Sequence, residues 1–230
     1  MQPALQALSA RLAAVRERID RACRRAGRDP ITVTLLAVTK VFPATVIQEA
    51  YTLGLREFGE NYVQEFEGKA SAAGMLQDAR FHLIGHLQSN KSRKAAELFH
   101  VIQTVDSPRL AARLDEGARE RGKMLEAMLE VKVSPEQSKS GAAPEELPEL
   151  IAAVRQCRNL RLLGLMTMPP WSDDAEASRP YFRQLRELAG RHGFEQLSMG
   201  MSHDLETAIE EGSTCVRVGT ALFGKRVKAT

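Results

Sequence analysis

Apolar and polar positions recur along this chain with two periods, and the two periods take turns. Leu5, Leu8, Leu12, Val15, Ile19 and Ala22 fall at steps of three and four, which predicts one amphipathic helix. Arg24 and Arg25 form its basic last turn, Gly27 stands where a C-cap belongs, and Pro30 forbids continuation. Beyond that point short β-branched runs alternate with helical stretches. Strands are predicted at 31–39, 57–59, 81–84, 101–105, 125–133, 160–166, 197–199 and 215–218. Helices are predicted at 43–53, from about 62, and at 91–99, 107–121, 144–157, 174–192 and 203–211. The 31–39 run is apolar enough to be buried on both faces. Pro43 and Gly54 bracket the helix that follows it.

Eight strands separated by helices imply parallel pairing with right-handed crossovers. The predicted fold is therefore of the α/β class, a single (β/α)8 TIM barrel with an extra N-terminal helix. A doubly wound open sheet is the alternative. No linker or low-complexity tract divides the 230 residues, so residues 1–230 read as one domain.

Composition narrows the function. Hydrophobic residues are 43% and charged residues 27%, ordinary for a soluble globular chain. The net charge of +3 has its signs interspersed, and aromatic residues are only 5%, which argues against a nucleic-acid surface. Cys23, Cys157 and Cys215 are odd in number and far apart, so neither a disulfide framework nor a zinc site is expected and a reducing, cytoplasmic setting fits. No apolar run reaches the roughly 18 residues of a membrane helix, and Met1 leads into a charged amphipathic stretch rather than a signal peptide. His82, His86, His100, His192 and His203 form no metal-ligand pattern.

In such a barrel, chemistry sits at the C-terminal ends of the strands. Lys40 follows the apolar run Leu35–Thr39 and so tops strand one, where a partly desolvated amine can attack a carbonyl. A solvated loop lysine is the plain alternative. The stretches Ser198–Asp204 and Val218–Thr220 end strands seven and eight in small residues, a setting that can cradle a phosphate through backbone amides and hydroxyls. Alternatively Ser202 is only a helix cap and Gly219 only a turn residue. Arg217 faces opposite to Val216 and Val218; if the valines pack outward, it enters the barrel mouth. A buried arginine needs a partner: a ring nitrogen, an anionic ligand, or a carboxylate such as Glu60 or Glu130. Gly59–Asn61 and Gly85–Lys91 are polar loops at the same mouth, with His86 a candidate acid or base or a local hydrogen-bonding residue. Ser138–Gly141 reads as a basic loop after strand five, and Met166 and Met168 as walls.

Several stretches together carry a resemblance: Ala37–Lys40, Phe58–Glu65, Ile84–Lys91, Ser138–Gly141, Gly164–Met168, Leu197–Ser202 and Val216–Thr220. In this order, spanning nearly the whole chain, they resemble the pyridoxal-phosphate homeostasis proteins of the YggS/PROSC type. That family is similar to the N-terminal barrel of alanine racemase, fold type III. The resemblance implies pyridoxal 5′-phosphate as cofactor, held as an internal aldimine on Lys40. It implies that Ser202, Gly219 and Thr220 hold the phosphate, that Arg217 approaches the pyridine nitrogen, and that Asn61, Met166 and Ser198 line the ring pocket. Some relatives carry proline at the position of His86.

Three functions fit these residues. An arginine beside the ring nitrogen disfavours its protonation and weakens the cofactor as an electron sink. Alanine racemase adds a tyrosine base from a second domain of the partner subunit, whereas this chain stops at Thr230, and of Tyr51, Tyr62 and Tyr181 only Tyr62 lies near a strand top. The leading expectation is a cytoplasmic, monomeric carrier that buffers or delivers the cofactor to pyridoxal-phosphate-dependent apoenzymes, without catalysis of its own. A small amino-acid racemase and a cofactor-free Schiff-base aldolase are the alternatives.

Overall fold

The computed structural model describes residues 3–134 and 140–224. A 23-residue helix, α1 (Pro3–Arg25), leads into eight strands: β1 (Thr34–Val38), β2 (Glu57–Glu60), β3 (Arg80–Leu83), β4 (Val101–Val105), β5 (Leu125–Glu130), β6 (Leu160–Met166), β7 (Gln196–Met201) and β8 (Cys215–Val218). All pair in parallel with their sequence neighbours, and β1 also pairs with β8, so the sheet closes into a barrel. The helices between them are α2 (Ala44–Thr52), α3 (Val63–Glu67), α4 (Ala70–Ala73), α5 (Ser92–Leu98), α6 (Pro108–Glu120), α7 (Leu147–Gln156), α8 (Arg179–His192) and α9 (Leu205–Glu210), with α10 (Thr220–Phe223) after β8.

Strand alternation sorts side chains into two populations. Ala37, Leu165, Leu197, Val216 and Val218 join the large core between strands and helices. Leu36, Val38, Ile84 and Cys215 form a small separate cluster in the lumen. Arg217 lies between two outward valines and faces inward with Cys215, as the alternation predicts. Helix α1 buries Leu8, Leu12, Val15, Ile19 and Ala22 and packs on α9 and α10. Arg18 makes a double hydrogen bond to Glu206 at 2.6 Å, and Arg25 pairs with Glu210 at 2.7 Å.

Three elements differ from the sequence expectation. Strand one begins at Thr34 rather than Ile31, because Asp29 accepts a hydrogen bond from the Ile31 amide and caps a 3₁₀ turn at Pro30–Thr32, leaving Ile31 87% exposed. Strand five stops at Glu130, and Val131 makes only an isolated bridge to Ala142. The helix after strand two breaks into α3 and α4 around Gly68 and Lys69, where Lys69 turns inward to bury its ammonium. Of the basic loop expected at Ser138–Gly141, Ser138 and Lys139 lie outside the described residues.

Candidate functional site at the C-terminal mouth of the barrel

Lys40 continues the inward series Leu36, Val38, one residue beyond the end of β1's apolar run at Thr39. It is half-buried in a turn, and a buried charged network grips the backbone on both sides of it. Lys69 Nζ donates to the Thr39 carbonyl (3.1 Å), to both oxygens of Glu60 (3.0 and 3.2 Å) and to Glu65 (2.6 Å). Thr39 Oγ1 donates to Glu60 at 2.8 Å, and the Val41 amide donates to Glu65. Glu60 is fully buried. Burial pushes its carboxyl above the usual range, against the opposing charge of Lys69 and the Thr39 hydrogen bond. Val41 has φ 64°, a left-handed conformation that costs a β-branched residue about 1–3 kcal/mol. The residue after the lysine is thus held in strain by Glu65, in a turn that ends the strand at Lys40.

Arg217 is almost fully buried in the lumen. Its guanidinium donates to the Ser198 carbonyl (2.7 Å), Ser198 Oγ (2.8 Å) and the Thr167 carbonyl (2.8 Å). Its hydrogen bonds go to neutral groups, Glu130 acts on it through charge without a direct ion pair, and Glu60 is engaged by Lys69 instead. Met166 and Ser198 are fully buried and stand in register on β6 and β7, with Glu130 beside Met166 on β5.

Ser202, Gly219 and Thr220 come together beside β1. Ser202 Oγ accepts from the amides of Gly219 and Ala221, both at 3.2 Å. Gly219 lies against Val38, two residues before Lys40. A Cβ at Gly219 would meet nothing nearer than 3.5 Å, so the protein's own packing does not require glycine there. A Cβ there would rest in ordinary contact with Val38, beside two amides gathered on the Ser202 hydroxyl, while the Thr220 side chain is exposed. Gly200 is the opposite case: at φ +88° a Cβ would lie 2.4 Å from the Ala208 Cβ, so only glycine lets β7 turn tightly into α9. Asp204 fixes that turn, accepting from the Met201 amide (2.7 Å) and from Ser178 Oγ (2.9 Å).

Asn61 is half-buried directly after β2. Its backbone lies so close to Gly85 that a Cβ on Gly85 would come within 2.3 Å of its carbonyl oxygen, which joins the second and third loops of the mouth. His86 is 56% exposed and stands 3.7 Å from Asp106, a surface arrangement at the rim. Trp171, in the loop after β6, lies 5.2 Å from the ring of His203, the residue after Ser202.

Two groups of residues were not anticipated from sequence. One is the Glu60–Glu65–Lys69 network. The other crosses the lumen: Ser198 Oγ donates to Gln103 Oε1 (2.6 Å), Gln103 Nε2 meets His82 Nδ1 (2.9 Å), and His82 Nε2 meets Glu57. It ends at a cavity of about 420 Å³ on the opposite, N-terminal face, bordered by Glu57, Arg80, Glu126 and Arg161. The signal was there for the second group, since Gln103 interrupts Val101-Ile102-Gln103-Thr104-Val105, a strand buried at every position. Among the described residues no group of His, Cys, Asp and Glu could hold a metal ion, and no helix is long and apolar enough to cross a membrane.

With this geometry in place, comparison with known proteins is informative. The profile of the alanine racemase N-terminal domain matches residues 10–227. A protein of Pseudomonas aeruginosa named pyridoxal phosphate homeostasis protein is 48% identical over 224 residues, 96% of this chain and 97% of that one. Proteins of the same name from Aquifex aeolicus and Escherichia coli are 44% and 45% identical over 222 residues. Among solved structures, PipY of Synechococcus elongatus with pyridoxal phosphate bound superposes with TM-score 0.84 at 39% identity, covering 94% of this chain and all of that one. Alanine racemase of Streptomyces lavendulae shares the fold at TM-score 0.75 and 20% identity, and this chain covers 58% of it.

Proposed function

The chain belongs to the pyridoxal phosphate homeostasis protein family, built on the alanine racemase N-terminal domain, and from that premise we propose that it holds pyridoxal 5′-phosphate at the C-terminal mouth of its barrel, as a carrier in vitamin B6 homeostasis. Bound there, the cofactor supplies an aldehyde for a Schiff base and a conjugated ring. Lys40 is the residue for the Schiff base. Ser202, Gly219 and Thr220 take the phosphate, Arg217 faces the ring nitrogen, and Asn61, Met166 and Ser198 border the ring.

The observation that carries this reading is the convergence of the Gly219 and Ala221 amides on Ser202 next to the strand of Lys40. Gly219 packs on Val38, two residues before Lys40, which sets this cluster of amides and hydroxyl beside the lysine. A barrel loop after strand eight is where a phosphate is commonly held. The relative PipY, 39% identical over nearly the whole chain, has pyridoxal phosphate bound in its structure.

The carrier reading over a racemase rests on the relatives named pyridoxal phosphate homeostasis protein, 44–48% identical over nearly the whole chain, and the chemistry of Arg217 is compatible with it. A fixed cation facing the ring nitrogen disfavours a second positive charge there, so the ring withdraws electrons less strongly. The guanidinium's hydrogen bonds go to two carbonyls and a hydroxyl. Apoenzymes that use the cofactor are the acceptors this reading implies.

The test is the absorption spectrum of the purified protein, followed by borohydride reduction and mapping of the modified residue by mass spectrometry. A visible band and a pyridoxyl adduct on Lys40, both lost in Lys40→Ala, are expected. A colourless protein that takes up no added cofactor overturns the proposal. Rapid racemisation of an added amino acid by the loaded wild type overturns the carrier part alone.

A further inference from the structure

A TIM-barrel lumen is normally filled by layers of aliphatic side chains. Here a continuous polar path runs through it from one end to the other. It starts at Arg217 on β8, passes Ser198 on β7, Gln103 on β4 and His82 on β3, and ends at Glu57 on β2. Arg217, Ser198, Gln103 and His82 are all more than nine-tenths buried. The cavity at the barrel floor brings solvent to the far end.

The donors along this path point one way. Arg217 donates to Ser198 Oγ, so the serine proton goes to Gln103 Oε1. That fixes the amide, whose Nε2 then donates to His82 Nδ1. With Nδ1 accepting, the neutral imidazole carries its proton on Nε2 and gives it to Glu57. The order is therefore Arg217 to Ser198 to Gln103 to His82 to Glu57, without a break.

We infer that His82 is a positioning residue for Arg217, and that the Gln103–Ser198 path transmits the protonation of the barrel floor to the cofactor's ring-nitrogen side. This rests on the proposed placement of Arg217 at the ring. A second proton on the His82 ring, at Nδ1, turns that atom from acceptor to donor. Gln103 must then rotate its amide so that Oε1 faces His82 and Nε2 faces Ser198. Ser198 Oγ now receives two donors, from Gln103 and from Arg217, and its own proton loses its acceptor. Arg217 keeps its bonds to the Ser198 and Thr167 carbonyls, while its bond to Ser198 Oγ is now shared with a second donor and the guanidinium's surroundings change. No atom moves between residues; only donor direction reverses.

The groups facing His82 decide how such a proton is held. Glu57 on β2 bonds it directly. Around the same cavity stand Arg80 on β3, Glu126 on β5, Arg161 on β6, Glu195 before β7 and Cys215 on β8. Burial pushes the Cys215 thiol up, so it stays neutral beside Gln103. Arg80 and Arg161 are both engaged with Glu126, and His100 accepts from the Phe81 amide on the strand that carries His82.

The experiment follows ¹⁵N signals of the His82 ring and the Arg217 guanidinium across pH in the full-length protein, before and after loading with pyridoxal phosphate. In the wild type both signals are expected to move together. In Gln103→Leu the His82 signal still moves and the Arg217 response is lost. If that variant does not fold, Glu57→Gln, at the half-buried floor, changes the His82 and Arg217 signals together. The visible band of the loaded protein loses its pH dependence in Gln103→Leu. An Arg217 signal that stays flat in the wild type, still follows pH in Gln103→Leu, or separates from His82 in Glu57→Gln overturns the inference. If the wild type takes up no cofactor, the functional reading fails while the signals of the unloaded protein still decide the relay.

Discussion

Replacing Lys69 by methionine tests the clamp around Lys40 most directly. In the native protein the Lys69 ammonium supplies both oxygens of Glu60 with donors at 3.0 and 3.2 Å and holds the Thr39 carbonyl at 3.1 Å. The two side chains are 10% and 0% exposed, so water cannot replace what is removed. Breaking a buried pair from one side costs about 3–5 kcal/mol, because the remaining charge stays buried. Glu60 has an escape: it can take a proton, at about 1.4 kcal/mol for each unit by which the pH exceeds its folded pKa. Burial already raises that pKa in the wild type, and losing Lys69 raises it further.

The sign follows. A carboxyl with a raised folded pKa favours folding while protonated and loses that contribution as pH rises through the folded value. The penalty of Lys69→Met is therefore largest at about pH 8 and shrinks toward about pH 5, as Glu60 protonates. For a chain of this size, 3–5 kcal/mol lowers Tm by roughly 6–20 °C. Thermal unfolding of the variant at the two pH values measures it. Repeating Lys69→Met in a Glu60→Gln background should cost only about 1 kcal/mol, the value of the remaining hydrogen bonds. An equal loss at both pH values, or no relief from Glu60→Gln, would falsify the idea that an exposed-to-nothing carboxylate dominates the energetics here.

Three further outcomes are expected. Val41→Gly releases a β-branched residue from φ 64°, so it should raise stability by about 1 kcal/mol after the entropy cost of glycine while weakening the visible band of bound cofactor; a lower Tm would show that the turn is not strained. Ser202→Ala removes the acceptor of the Gly219 and Ala221 amides and one donor to a charged phosphate, worth about 1.5–3 kcal/mol or roughly 10–150-fold in affinity, read by titrating the cofactor band; an unchanged affinity would remove Ser202 from the site. Burial raises the Glu206 and Glu210 carboxyls, but Arg18 for the first, and Arg179 and Arg25 for the second, hold both below the usual range. Depressed carboxyls stabilise above their unfolded value of about 4.3 and lose that contribution as pH falls through their folded values, so α1 should loosen from α9 below about pH 4; Arg18→Met should move the acid-unfolding midpoint upward by circular dichroism.

The barrel was legible because parallel strands alternate with helices of opposite period, and the period change survives without any tertiary information. The strand positions of Lys40, Arg217 and Ser198 followed from counting along those strands. Ile31 misled because its β-branched character suits a strand, while Asp29 and Pro30 favour a capped turn; local side-chain capping outweighed propensity. Lys69 gave no signal at all. It sits in a polar stretch that reads as a solvated face, and its inward turn depends on where α3 and α4 break around it. Pairing across a barrel is set by the closure of the sheet, which no spacing along the chain records.

The same distinction separates the two polar systems. Gln103 and His82 alternate with apolar neighbours on β4 and β3, so a strand reading alone could have placed both in the lumen. It could not have placed them in line with Ser198, three strands further on, because register across the lumen depends on the stagger of the closed barrel. A buried amide and a buried imidazole each demand partners when removed from water. In this lumen they find each other and two further groups at hydrogen-bond distance. An aliphatic filling would pack the same space without that demand. The polar path therefore constrains the orientation of Arg217 in a way an aliphatic core does not.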